Sequence, residues 1–253
     1  LCIGMGVGVV PMQFAGDGIQ TDVVEINGAV VPMAEDFFDF DSSRVNLTIG
    51  DGRQFLNQTE ESYDAIILDA FLGDSSPSHL MTYEAFKKMK EHLTERGVLV
   101  INSFGESNPE RQFFSASLDK TLRAVFDDNK VVVHASGYGN VFFVATNDKQ
   151  LKIHHSPEPD AEAATRFKAA SSEEEAFVEW NKWHENVSGD GPFFSEHREV
   201  QQEMALMWKG RRTFDPQKGK LLSDDFNPVE FHDARNREEN RRGLINLLHS
   251  SNE

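Results

Sequence analysis

Over the first 150 residues, short β-branched runs alternate with amphipathic stretches. That is the pattern of a mostly parallel sheet covered on both faces. Leu1 to Ile3 reads as the tail of a strand, followed by a glycine-rich turn and a short helix over Val10 to Ala15. Strands are predicted over Thr21 to Ile26, Val45 to Ile49, Tyr63 to Asp69 and Gly97 to Asn102. Between them, helices are predicted over Asn27 to Phe38, Gly52 to Asn57 and Thr82 to Thr94, with a longer one over Pro109 to Phe126. Tyr63 to Asp69 is almost wholly apolar, as expected of a strand buried on both faces. The strands Lys130 to Ala135 and Asn140 to Thr146 are separated by four residues only. A connection that short forces an antiparallel hairpin, because a parallel pair needs a long crossover. The expected fold is therefore α/β, a parallel sheet closed by an antiparallel last strand.

Beyond about residue 150 the character changes to a polar, proline-punctuated stretch and then to charged helical segments. These are expected over Asp160 to Ala170, Glu173 to Asn186, Glu196 to Trp208 and Asp233 to His249. The division expected is a nucleoside-binding domain over 1–150 and a charged helical extension over 151–253.

Candidate chemistry gathers where the predicted strands end. Gly4, Gly6 and Gly8 follow the first strand, where glycine lets the backbone approach a ligand. Their spacing fits a nucleoside without a pyrophosphate better than a dinucleotide; a merely tight strand–helix turn is the rival reading. Glu25 ends the second strand about 20 residues on, where an acid can accept both ribose hydroxyls. Asp51 and Gly52 end the third, with an aspartate suited to an adenine amino group or to an N-cap, or to both. Asp69 closes the apolar fourth strand and is expected to face a cleft, since burying it unpaired is costly. The loop from Ala70 to Leu80 is long enough for a lid and carries Asp74 and His79. Asp74 reads equally as a turn residue, and His79 as a contact at the start of the next helix.

Composition narrows the partners. Of 253 residues, 42 are Asp or Glu and 25 Lys or Arg, a net charge of −17. Such a surface repels phosphate backbones and favours cationic ligands, so no nucleic-acid partner is expected. No run approaches a membrane span, so no membrane insertion by this chain is expected. One cysteine, Cys2, forms no intrachain disulfide and no Cys-rich metal site; no metal is expected, and a reducing cytoplasm is the expected compartment. His154-His155 lacks companions at metal-ligand spacing. The chain opens without Met, inside a strand, and reads as the C-terminal part of a longer protein or as a trimmed one.

Taken in order, Ile3-Gly4-Met5-Gly6-Val7-Gly8, Val24-Glu25-Ile26, Ile49-Gly50-Asp51-Gly52-Arg53, Tyr63 to Asp69 and Gly97-Val98-Leu99-Val100 resemble the spermidine synthases, the polyamine aminopropyltransferases. Asp69-Ala70-Phe71, Asp74, Pro77, His79-Leu80 and Thr82 are similar to a bacterial branch of that family often fused to a membrane transporter-like half. Leu222 to Glu230 (LSDDFNPVE) resembles a C-terminal motif of the same branch. The resemblance implies a Rossmann-like class I S-adenosylmethionine-dependent methyltransferase fold. It implies transfer of an aminopropyl group from decarboxylated S-adenosylmethionine to a polyamine, and room for a homodimer. Glu25 would hold ribose, Asp51 adenine, Asp69 would serve as base or substrate anchor, and Asp74 would lie in the gating loop.

Val7 stands where the family carries an aspartate that holds the cationic aminopropyl end. An acid there repels the α-carboxylate of intact S-adenosylmethionine, whereas a valine does not. Methyl transfer from S-adenosylmethionine on the same fold is therefore the alternative, and a nucleoside-binding domain without catalysis is a third class.

Overall fold

The computed structural model describes residues 1–71, 77–104, 112–126, 131–135 (backbone), 140–148, 150, 165–166, 169, 213–228 and 231. The elements follow as β1 (Cys2–Ile3), α1 (Val9–Gly16), β2 (Asp22–Glu25), α2 (Val30–Phe37), β3 (Asn46–Ile49), α3 (Gly52–Gln58) and β4 (Tyr63–Leu68). After a single turn of 3₁₀ helix at Ser78–Leu80 come α4 (Tyr83–Glu91), β5 (Leu93–Phe104), α5 (Phe113–Val125), β6 (Val131–Ala135) and β7 (Asn140–Thr146). The seven strands lie in the order β3-β2-β1-β4-β5-β7-β6. All neighbours are parallel except β7, which runs antiparallel to both β5 and β6. The α/β sheet with a reversed last strand is thus present, and the reversed strand sits one place in from the edge.

Alternation along the strands builds two cores. Ile3, Val24, Ile66 and Leu68 face a cluster with residues of α3, α4 and α5; Cys2, Val23 and Ile67 face the other, with Met5, Ala34 and Phe40. Cys2 is 2% exposed, and burial pushes its thiol up to about 11.

Several boundaries differ from the pattern along the chain, among them the start of β5 at Leu93 where Gly97 was expected. The predicted helix over Asn27 to Phe38 starts three residues late, because the Asn27 side chain accepts the Ala29 amide and turns the chain first. The helix predicted to reach Thr94 stops at Glu91. There His92 turns inward, and its ring nitrogens reach the carbonyls of Glu61 and Leu56 at 2.8 Å. β5 then begins at Leu93, through a bulge opposite Tyr63 and Ala65.

Contacts divide the chain into two compact units, Leu1–Leu151 with Arg211–Glu253, and Lys152–Gly210. The helices expected beyond residue 150 lie outside the described residues, apart from helical positions at Thr165, Arg166 and Ala169. Among the described residues no helix is long and apolar enough to cross a membrane. Residues 213–228 form an irregular strap across α5 and α4. Phe214 stacks near Phe143 with ring centroids 6.1 Å apart, and Lys120 reaches the carbonyls of Pro216 and Gly219. The hydroxyls of Ser117 and Thr121 accept the amides of Lys220 and Leu222. Leu222 is wholly buried in the larger core.

The depth of Leu222 makes the strap part of the fold's stability. Leu222→Ala is expected to cost about 2–5 kcal/mol of unfolding free energy, the range for emptying a buried leucine site. Urea unfolding checks it, and a loss near zero would mean the strap is not docked.

Candidate functional site

The C-terminal ends of β1 to β4 open on one side of the sheet into a cavity of about 380 Å³. Open parallel sheets bind ligands at this edge, where helices depart to opposite faces. The glycine turn forms its floor. Gly4, at φ +92°, has no room for a side chain: a Cβ there would lie 2.3 Å from the Asp69 carbonyl oxygen. Gly6 lines the cavity, and Gly52 lines its far side. Gly8, also predicted as a site residue, is not among the lining residues. At φ +87° it lies against the Phe40 ring, which a Cβ would meet at 2.3 Å.

Glu25 is 8% exposed and lines the cavity from the end of β2. Its Oε2 accepts the Met5 amide and its Oε1 the Asn27 amide, each at 2.9 Å. The carboxylate is thus pinned between the glycine turn and the entry to α2. Each oxygen keeps a lone pair for a further donor.

Asp51 caps α3, its Oδ1 accepting the Gln54 amide at 2.8 Å. Its Oδ2 lies 2.7 Å from Nε2 of His79. Burial pushes the Asp51 carboxyl up, but the Gln54 amide, the His79 ring and the Arg53 amide outweigh it and leave the group below its ordinary value. His79 therefore pairs with the N-cap residue of α3, an earlier helix than the one its position suggested, and both side chains belong to residues that line the cavity. It sits on the 3₁₀ turn, one residue beyond Ser78.

Asp69 follows β4, and its Oδ1 accepts a hydrogen bond from Nδ2 of Asn102 at 2.9 Å. The pairing of Leu68 with Ile101 brings these next residues side by side. The Asn102 Oδ1 is buried without a partner among the described residues. Phe71 and Pro77 line the cavity from the two sides of the loop, whose residues 72–76, with Asp74, lie outside the described residues. Ile26, Val30 and Leu80 supply apolar wall. Among the described lining residues there are three carboxylates and no Lys or Arg. No cluster of three or more potential metal ligands occurs among the described residues.

The structure thus gathers Gly4, Gly6, Glu25, Asp51, Gly52 and Asp69 about one cavity. Reasoning along the chain missed Asn102 and Arg53. Asn102 shows itself only once β4 and β5 are known to be neighbours, and Arg53 only through a partner 171 residues away.

Because the Asp51 carboxyl is held low, the stability it lends is complete above the ordinary carboxylate range and is lost as pH falls through its lowered value. Asp51→Asn should therefore flatten the acid limb of the stability–pH curve below about pH 4. Urea midpoints across that range test this, and an acid limb as steep as that of the unmodified chain would contradict it.

Comparison with known proteins adds the following. A family model described as the spermine/spermidine synthase domain matches residues 19–155. A polyamine aminopropyltransferase of Vibrio vulnificus is 39% identical over 113 residues, 42% of this chain and 38% of that protein. An N-terminal histidine N-methyltransferase of Emericella nidulans is 27% identical over 182 residues, 67% of this chain and 32% of that protein. The chain thus spans well under half the length of both. Among solved structures, a probable spermidine synthase from Corynebacterium glutamicum superimposes with a TM-score of 0.51 at 24% identity, covering 65% of this chain and 61% of that one. This last likeness speaks for the fold.

Proposed function

The chain belongs to the spermine/spermidine synthase family, and from that premise we propose that its cavity transfers an aminopropyl group from decarboxylated S-adenosylmethionine to an amine of a polyamine. The observation that carries this reading is the acidic cavity itself: Glu25, Asp51 and Asp69 meet about one space with no described cation among its walls. Both substrates are cations, one a sulfonium with an ammonium, the other a polyammonium. Attraction to carboxylates in a partly dehydrated cleft serves each of them.

The nucleoside fits the residues present. Glu25, fixed by two backbone amides, offers both oxygens to the ribose hydroxyls. Ile26, Val30 and Leu80 offer apolar surface to the purine, with Asp51 and His79 at its polar edge. In the transfer, the lone pair of a neutral amine attacks the propyl carbon beside sulfur. The C–N bond forms as the C–S bond breaks, the electron pair goes to sulfur, and a neutral thioether leaves. The amine must first give up a proton. Asp69, held by Asn102 at the strand end, is the carboxylate suited to hold the ammonium and to receive that proton. Gly4 beside it keeps the floor clear for the reacting chain.

A second reading, methyl transfer from intact S-adenosylmethionine, is favoured by Val7. This residue is 38% exposed and puts no negative charge in the glycine turn to repel an α-carboxylate. A soluble acceptor in the cytoplasm belongs to either reading.

Calorimetric titration with S-adenosylmethionine and with its decarboxylated form separates the two. A preference of about tenfold or more for the decarboxylated ligand, ~1.4 kcal/mol, is the result expected of aminopropyl transfer. Equal or tighter binding of the intact ligand would move the assignment to methyl transfer, and binding of neither would sink both.

Two substitutions test the roles. Glu25→Gln should weaken nucleoside binding at least about tenfold, the scale for losing a charge-assisted bond. Unchanged affinity would remove Glu25 from the site. Asp69→Asn should leave that affinity within about twofold while turnover falls about 100-fold or more; near-normal turnover would show that Asp69 is not the base.

A further inference from the structure

The LSDDFNPVE stretch has no role in the transfer chemistry, yet its described residues, 222–228, bond to the segment that carries His79 at the cavity wall. Asp224 grips Arg53 through both carboxylate oxygens, Nη1 to Oδ1 at 2.6 Å and Nη2 to Oδ2 at 2.5 Å. The same Arg53 Nη1 donates to the His79 carbonyl at 2.8 Å and to the Thr82 hydroxyl at 3.1 Å. Thr82 in turn donates to Asp224 at 2.8 Å, and the Asp224 amide donates to Glu84. Asn227 donates to the Ser78 carbonyl at 2.6 Å and, more weakly, to that of Met81 at 3.4 Å. The Tyr83 amide donates to the Leu222 carbonyl at 2.8 Å. The strap therefore bonds to Ser78, Met81, Thr82, Tyr83 and Glu84 directly, and to His79 through Arg53.

The side chain of that turn that bonds to Asp51 is His79. Arg53 follows Asp51 by two residues in the same first turn of α3, so the Asp224–Arg53 fork ties both partners of the Asp51–His79 pair to one point. A bidentate guanidinium–carboxylate pair fixes orientation as well as distance. Asp224 is itself held below its ordinary value, chiefly by Arg53.

We propose that Asp224 is a positioning residue: acting through Arg53, and with Asn227 beside it, it holds the His79 turn against Asp51 and so sets the purine-facing wall of the cavity and its preference for adenine. This rests on the reading of the cavity as a nucleoside site. Asp224 touches no ligand and is not among the residues that line the cavity; by this account the strap braces the wall from behind.

The test compares 5′-methylthioadenosine with 5′-methylthioinosine, which carries an oxygen in place of the 6-amino group. Their affinities are measured for the whole chain and its Asp224→Asn, Asp224→Glu and Asp225→Asn variants. Asp225, an exposed neighbour, controls for lost charge. In Asp224→Asn the adenine nucleoside is expected to bind about tenfold more weakly while the hypoxanthine nucleoside changes little, so that discrimination collapses. Asp224→Glu should recover part of it, and Asp225→Asn should match the unmodified chain. General loosening of the fold would weaken both nucleosides alike, and that outcome overturns the proposal. So does a discrimination ratio in Asp224→Asn equal to that of Asp225→Asn. If the unmodified chain binds neither nucleoside, the nucleoside reading falls. The clamp is then judged from the His79 ring resonance, assigned with His79→Gln: displaced by Asp224→Asn alone it supports the clamp, and unmoved it overturns it.

Discussion

The site depends on how closely the backbone can pass itself where β1 ends. The Ile3 carbonyl accepts the Asp69 amide, the Val24 carbonyl accepts the Gly4 amide, and the chain then turns within touching distance of the Asp69 carbonyl. A residue with a side chain at Gly4 would push the ends of β1 and β4 apart. The floor between Glu25 and Asp69 would go with them. Two residues of strand, Cys2 and Ile3, carry this junction, each contributing to a different core. The sheet is held from both faces at its narrowest element, which is what a floor with no side chains of its own requires.

Much of this was legible along the chain, and for definite reasons. The β-branched runs gave the strands because parallel strands are buried on both faces, and the four-residue gap before Asn140 could only mean reversal. Glu25 stood out by its strand-end place about 20 residues after the glycine turn, and Asp69 because an acid at the end of an apolar run has to find a partner or a cleft. The helix boundaries at Asn27 and His92 were less legible, since each is set by one side chain bonding outside the periodic pattern. Asn102 is paired with Asp69 by sheet register, and Asp224 with Arg53 by tertiary docking across most of the chain. Neither relation has a local signature. Gly8 illustrates the opposite case: its motif position pointed to a ligand, while its neighbour in the fold is Phe40.

Electrostatics ties the cavity to the composition. The excess of acid over base is spread along the chain, but at the cavity it is arranged, with each carboxylate held differently. Glu25 is bonded to two amides, Asp51 to an amide and an imidazole, and Asp69 to a side-chain amide. All of these partners leave the negative charge unneutralised by a permanent cation. The Arg53 guanidinium, close by on α3, is turned away into the strap. A space built this way keeps its attraction for an arriving cation instead of spending it internally.

The strap also gives the molecule an order in time. A ribosome delivers the sheet-forming residues first, and domains begin to fold as they emerge. Arg53 then waits for a carboxylate that is made 171 residues later. Until that stretch is released, Arg53 and Thr82 lack its carboxylate and the larger core lacks Leu222. A chain broken off before the strap would lack Leu222 from its larger core as well as the carboxylate that meets Arg53.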